Sequence, residues 1–95
     1  MNLTDRQQEI LLITQEECAE VTQAISKVLR FGLDAAWQDR TNQERLEEEV
    51  GDLLCMLQLM QDTNIVDPEF IRRAWRSKEQ KLKKWSNIYE QRENV

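Results

Sequence analysis

The sequence predicts an all-α fold, a bundle of three main helices plus a short connector helix, and three observations carry that prediction. Two glycines and one proline in 95 residues leave few places to turn, and the chain between them is dominated by Ala, Leu, Glu, Gln, Lys and Arg, which favour helix. Helix starts are written as capping signals at Thr4, Thr41 and Asp67. Apolar residues recur at spacings of three and four, and strand signals are missing.

The first helix begins where Thr4 can cap and Gln7, three residues on, can complete a capping box. Ile10, Ile13, Val21, Ala24, Ile25 and Val28 form its apolar side. It should end between Arg30 and Gly32, because glycine accepts a left-handed conformation without strain. Leu33 to Arg40 is a connector in which Ala35, Ala36 and Trp37 are expected to pack down as a short helical turn. Thr41-Asn42-Gln43-Glu44 reads as a second capping box, opening a helix to about Thr63. Its first half is charged and its second nearly all apolar, which implies one end at a wet site and the other buried on all sides. After Asn64 and the Ile65-Val66 link, Asp67-Pro68-Glu69 supplies an N-cap, a proline at the first helical position and an acid at the positive end of the dipole. The third helix carries Phe70, Ile71, Ala74, Trp75, Leu82 and Trp85 on its apolar side and a basic run from Arg72 to Lys84. Trp75 and Trp85 have the spacing of core residues, and Gln91 to Val95 are expected to fray.

A chain of 95 residues makes a single domain, 1–95, close to the smallest size that encloses its own core. A second copy is therefore the expected partner, as a homodimer sharing a four-helix core or a dimer of dimers. The formal charge of −5 repels nucleic-acid backbones and acidic membranes, so neither is an expected partner. Cys18 and Cys55 lack CxxC spacing and sit among core-like residues, which favours buried free thiols in a reducing compartment. No signal peptide is evident and no apolar run approaches the ~18 residues of a membrane span. A soluble, cytoplasmic protein is the expectation. The chain has no histidine, which excludes a Ser-His-Asp triad, a His-based zinc site and the Glu-x-x-His ligation of di-iron bundles.

The residues most in need of explanation are acidic. Ile10, Ile13, Glu17, Glu20, Ala24 and Val28 form one stripe on the first helix, and Glu49, Asp52, Met56 and Met60 a similar one on the second. Either pair alone is read more simply as a solvated face. Two such pairs, both on apolar seams of consecutive helices, are not, because an uncompensated charge is costly to bury. In an antiparallel hairpin the four carboxylates meet at one depth, where they repel unless a cation lies among them. Oxygen-only ligation selects a hard ion, magnesium first and manganese second.

Glu16-Glu17-x-x-Glu20 followed by Glu49-x-x-Asp52 resembles the signature of the MazG-like all-α nucleoside triphosphate pyrophosphohydrolases, over roughly Ile10 to Trp85. The resemblance implies Glu17, Glu20, Glu49 and Asp52 as magnesium ligands, with Glu16 beside them as an auxiliary acid. It implies hydrolysis of a (d)NTP between the α and β phosphates to the monophosphate and pyrophosphate. Glu16, Glu17 or Glu20 is then the candidate base, and the sequence does not choose among them. Lys27 and Arg30 lie three apart beyond Glu20, within reach of phosphates leaving the metal cluster or of the base end of a nucleotide, and Lys27 to Gly32 resembles a segment of small members of this group. Lys78, Lys81 and Lys84 share a face of the third helix, similar to the basic C-terminal helix of MazG-like proteins. Phe31 and Trp37 flank the connector, where a stacking wall for a base could be built, whereas Asn42 and Asn64 are explained by helix ends. Phosphoribosyl-ATP pyrophosphohydrolase activity is disfavoured, since that relative's lysine and Tyr-His are replaced by Ile13-Thr14-Gln15 and Leu53-Leu54-Cys55-Met56. The competing reading is a dimeric helical interaction module with this fold and no turnover.

Overall fold

Thr4 and Gln7 close the capping box that the sequence encodes. Thr4 Oγ1 accepts from the Gln7 N–H at 3.0 Å and Gln7 Oε1 accepts from the Thr4 N–H at 2.9 Å, which starts α1, Asp5–Phe31. In the computed structural model, residues 2–90 are described, and they fall into two units, Met1–Ile65 and Val66–Val95. The expectation for Gln91 to Val95 lies outside the described residues. Gly32 ends α1 at φ 93° and ψ 161°, a combination that side chains other than hydrogen resist. A second capping box, Thr41 with Glu44, starts α2, Asn42–Asp62. Its end is a Schellman turn in which the Ile65 N–H donates to Met60 O and the Asn64 N–H to Gln61 O. Asn64 takes the left-handed position, φ 62°, as asparagine does at least cost after glycine. Asp67 caps α3, Pro68–Trp85, accepting from the Glu69 N–H at 2.9 Å, with Pro68 at the first helical position.

The connector differs from the expected short helix. Ala36–Trp37 (β1) and Arg40–Thr41 (β2) form a two-stranded antiparallel ribbon with Ala36 opposite Thr41 and Trp37 opposite Arg40. Gln38 and Asp39 turn between them at φ 54° and 69°, the pair of positive angles that a two-residue hairpin loop requires. The helical preference of Ala35 and Ala36 loses to the needs of α2. The Asn42 and Gln43 N–H groups, free at the first turn of that helix, donate to Ala35 O at 2.8 Å and Leu33 O at 3.1 Å. Only an extended connector presents those carbonyls.

In the first unit α1 and α2 are antiparallel, and burial follows one seam on each. On α1 it runs through Gln7, Ile10, Thr14, Glu17, Val21, Ala24 and Val28, alternating steps of three and four. The expected stripe is thus shifted at two positions. Thr14 is buried in place of a fully apolar residue, its hydroxyl donating to Ile10 O at 2.6 Å, and Glu20 sits exposed at the edge of the seam. On α2 the corresponding line is Asn42, Leu46, Glu49, Leu53, Met56, Met60 and Thr63, with Asp52 exposed beside it.

An amide side chain pins each end of this pair. Gln7 Nε2 donates to Thr63 O at 2.8 Å, while buried Asn42 donates through Nδ2 to Gly32 O at 3.0 Å and more weakly to Lys27 O at 3.4 Å. Asn42→Ala leaves those carbonyls without their donor, so it is expected to lower stability by about 1–3 kcal/mol in urea titrations, with an unchanged helical spectrum. No change in the midpoint would show that the clamp is ornamental.

Within the single chain Ile10 and Ala24 are the only buried hydrophobic residues among those described, and the apolar second half of α2, expected to be covered by another copy, is open, with Leu54 61% exposed. Two burial expectations are corrected. Cys18 and Cys55 are free, as expected, but exposed rather than buried, since both project off the seam. Trp75 and Trp85, expected in a core, are exposed too: among the described residues of the second unit, α3 is followed only by a turn, whose Tyr89 lines a hollow with Ile71, Trp75 and Leu82.

Candidate metal centre

The two helix seams carry their carboxylates to the same level. Glu17 occupies a seam position on α1 with Glu20 one turn on at the edge, and Glu49 occupies a seam position on α2 with Asp52 at the edge. Because the helices are antiparallel, the pairing is crosswise. Gln7 with Thr63, Glu17 with Asp52, Glu20 with Glu49 and Lys27 with Asn42 are successive rungs of one register.

One carboxylate oxygen from each of Glu17, Glu49 and Asp52 lies within 4.8 Å of the other two. Glu16 and Glu20 are outside that trio but line the same open cavity of about 510 Å³. Burial raises the Glu17 carboxyl above its ordinary value, and Asp52, then Glu20 and Glu16, push it the same way. Burial likewise raises Glu49, followed by the charges of Glu20, Asp52, Glu17 and Glu48. Among the described residues no Lys or Arg forms an ion pair with any of the three. Glu17 Oε2 is buried without a hydrogen-bond partner. A divalent cation answers each of these observations: it offsets the repulsion, gives the orphaned oxygen a partner, and suits an all-oxygen donor set.

The remaining sequence candidates divide by place. Lys27 and Phe31 are at the connector end of α1, both on the wall of a cleft formed with the ribbon, and Arg30 stacks over Phe31 at 5.1 Å. Lys78 and Lys81 lie on α3, in the second unit, where Lys78 flanks a shallow apolar hollow with Ile71, Trp75 and Leu82. Sequence reasoning missed Arg45. It sits four residues before Glu49, reaches Trp37 and lines both the cleft and the groove next to Glu49. Its place on the carboxylate side of α2, one helical turn before Glu49, was the available signal.

The model of the MazG nucleotide pyrophosphohydrolase domain matches residues 5–70 of the chain. That span holds α1, the ribbon, α2 and all five candidate acids, and it ends before Lys78 and Lys81. No curated protein and no solved structure matches the chain.

Proposed function

Because the chain belongs to the MazG nucleotide pyrophosphohydrolase family, we propose that it hydrolyses (d)NTPs between the α and β phosphates, with magnesium, to the monophosphate and pyrophosphate. The observation that carries this reading is the convergence of Glu17, Glu49 and Asp52 from two helices on one open cavity, with a buried Glu17 oxygen lacking any partner.

Glu17, Glu49 and Asp52 would hold the ion, and Glu20, facing Glu49 across the cavity, would complete the set of four. Magnesium bound there supplies neutralisation of the phosphates and acidity to the attacking water. The protein's own groups do the rest. Glu16, exposed on the cavity wall, would accept the proton of that water, as would an oxygen of Glu20 not given to the ion. Lys27, one cavity further along, and Arg30 on the neighbouring turn would reach the α-phosphate or the base end of the nucleotide.

The active form is assigned as a homo-oligomer. Val50, Leu54 and Leu57 make an exposed apolar stripe on α2, and every copy presents the same stripe, as a two-fold interface needs. A monomeric sedimentation coefficient at assay concentrations would remove this part of the reading. No described helix is long and apolar enough to cross a membrane, and nucleotide hydrolysis points to the cytoplasm as the place of action.

The deciding experiment is incubation with a panel of NTPs and dNTPs plus magnesium, with pyrophosphate and monophosphate measured together. Equimolar release that stops on chelation is expected. No release from any substrate would leave the interaction-module reading in place.

A further inference from the structure

Beyond the carboxylates, the first unit holds a second hollow of different character. Where α1 ends, the ribbon departs and α2 begins, a cleft of about 440 Å³ is lined by Lys27, Phe31, Trp37, Asn42 and Arg45 together with two alanines. This is the size and make-up of a small-molecule site, an apolar wall with a few convergent polar groups. Phe31 and Trp37 are 62% and 63% exposed, although both are large aromatics. Arg45 is fixed beside them: its Nη2 donates to the Trp37 carbonyl at 2.6 Å and its guanidinium lies over the Trp37 ring at 5.1 Å. No carboxylate pairs with Arg45 among the described residues, so donors remain unmatched on the cleft wall. Asn42 Nδ2 donates to Gly32 O and Lys27 O, and among the described residues none donates to its Oδ1.

The cleft is joined to the carboxylates. An intervening groove shares Glu20 and Glu49 with the acidic cavity, and Lys27 and Arg45 with the cleft. The helical rise places Lys27 about 10 Å beyond Glu20, and Asn42 about 10 Å beyond Glu49. One nucleoside reaches across that interval from its α-phosphate.

We propose that this cleft reads the base of the nucleotide: a planar ring stacks on Trp37 beside Phe31, with a carbonyl oxygen on its edge accepting from Arg45. The proposal rests on the pyrophosphohydrolase reading of the acidic cavity for the direction in which the nucleotide lies. Because Arg45 and Lys27 make the wall rich in donors, bases that carry a carbonyl oxygen are favoured over adenine, which has none.

The test is calorimetric binding, in magnesium, of α,β-methylene analogues of GTP, UTP, CTP and ATP, with inorganic tripolyphosphate as the ligand that lacks a base. Trp37→Ala is expected to weaken the carbonyl-bearing nucleotides by about tenfold, the scale of losing one base–aromatic stack, and to leave tripolyphosphate within about twofold. Trp37→Phe should restore most of the loss, which a folding defect would not allow. Arg45→Met should narrow the preference over the ATP analogue. Equal weakening of nucleotides and tripolyphosphate, no weakening of either, or a shift of Trp37→Ala to a smaller sedimenting species would overturn the proposal. Base-dependent binding without pyrophosphate release sinks the enzymatic reading and leaves the cleft. Turnover with base-independent binding does the reverse.

Discussion

Glu49→Gln is expected to cut magnesium-dependent pyrophosphate release by at least about a hundredfold, the scale of disrupting a metal site, while raising the urea midpoint of the metal-free chain. Both effects have one source. Glu49 is half-buried on the α2 seam, where burial and then the charges of Glu20, Asp52 and Glu17 disfavour its ionised form. Glutamine keeps the shape, removes the charge and relieves those neighbours, so the seam packs with less opposition. The same change deletes an anionic ligand from the trio with Glu17 and Asp52. Opposite movement of activity and stability is the signature sought, since a misfolded variant loses both. Asp52→Asn should match the loss of activity with a smaller gain in stability, because Asp52 is exposed. If Glu49→Gln lowered the midpoint, the acidic seam would be a stabilising network and not a ligand set awaiting a cation.

Without divalent ions, stability is expected to rise as pH falls from 7 toward about 5, and in millimolar magnesium the trend should reverse. The carboxyls of Glu17 and Glu49 are raised above the ordinary value of 4.5, so the native state holds their protons more tightly than the unfolded chain does. Their contribution is therefore fully favourable below 4.5 and is lost as pH climbs through the raised native values. Magnesium requires the ionised ligands and stabilises only the folded state, which makes its contribution grow with pH over that same window. Glu44 does not confuse the comparison. The Thr41 N–H donating to it holds its carboxyl below 4.5, so its contribution is lost only at more acid pH. Urea midpoints across this range, with magnesium and with chelator, should converge at the acid end. Parallel curves would mean that no cation is held by these groups.

Local chemistry made most of the fold legible. The capping boxes at Thr4 and Thr41, the Asp67-Pro68 start and the Gly32 stop are interactions within four residues, and each stands where the sequence puts it. The acids were legible for a related reason, since charge on an apolar seam is anomalous before any fold is known. The ribbon was hidden because its cause is remote: carbonyls of Leu33 and Ala35 serve N–H groups of Gln43 and Asn42. Arg45 was hidden because a guanidinium among Glu44, Glu47 and Glu48 reads as one more surface charge until Trp37 is seen beneath it. Thr14 escaped because a hydroxyl looks polar until Ile10 O is found to accept its hydrogen bond.

The amides of Gln7 and Asn42 hold the two helices at their ends, with the repelling carboxylates between. Mechanically, this is a pair of beams hinged at both supports and loaded at mid-span. With both supports fixed, neither beam can slide along the other, so Glu17 stays opposite Asp52 and Glu20 opposite Glu49.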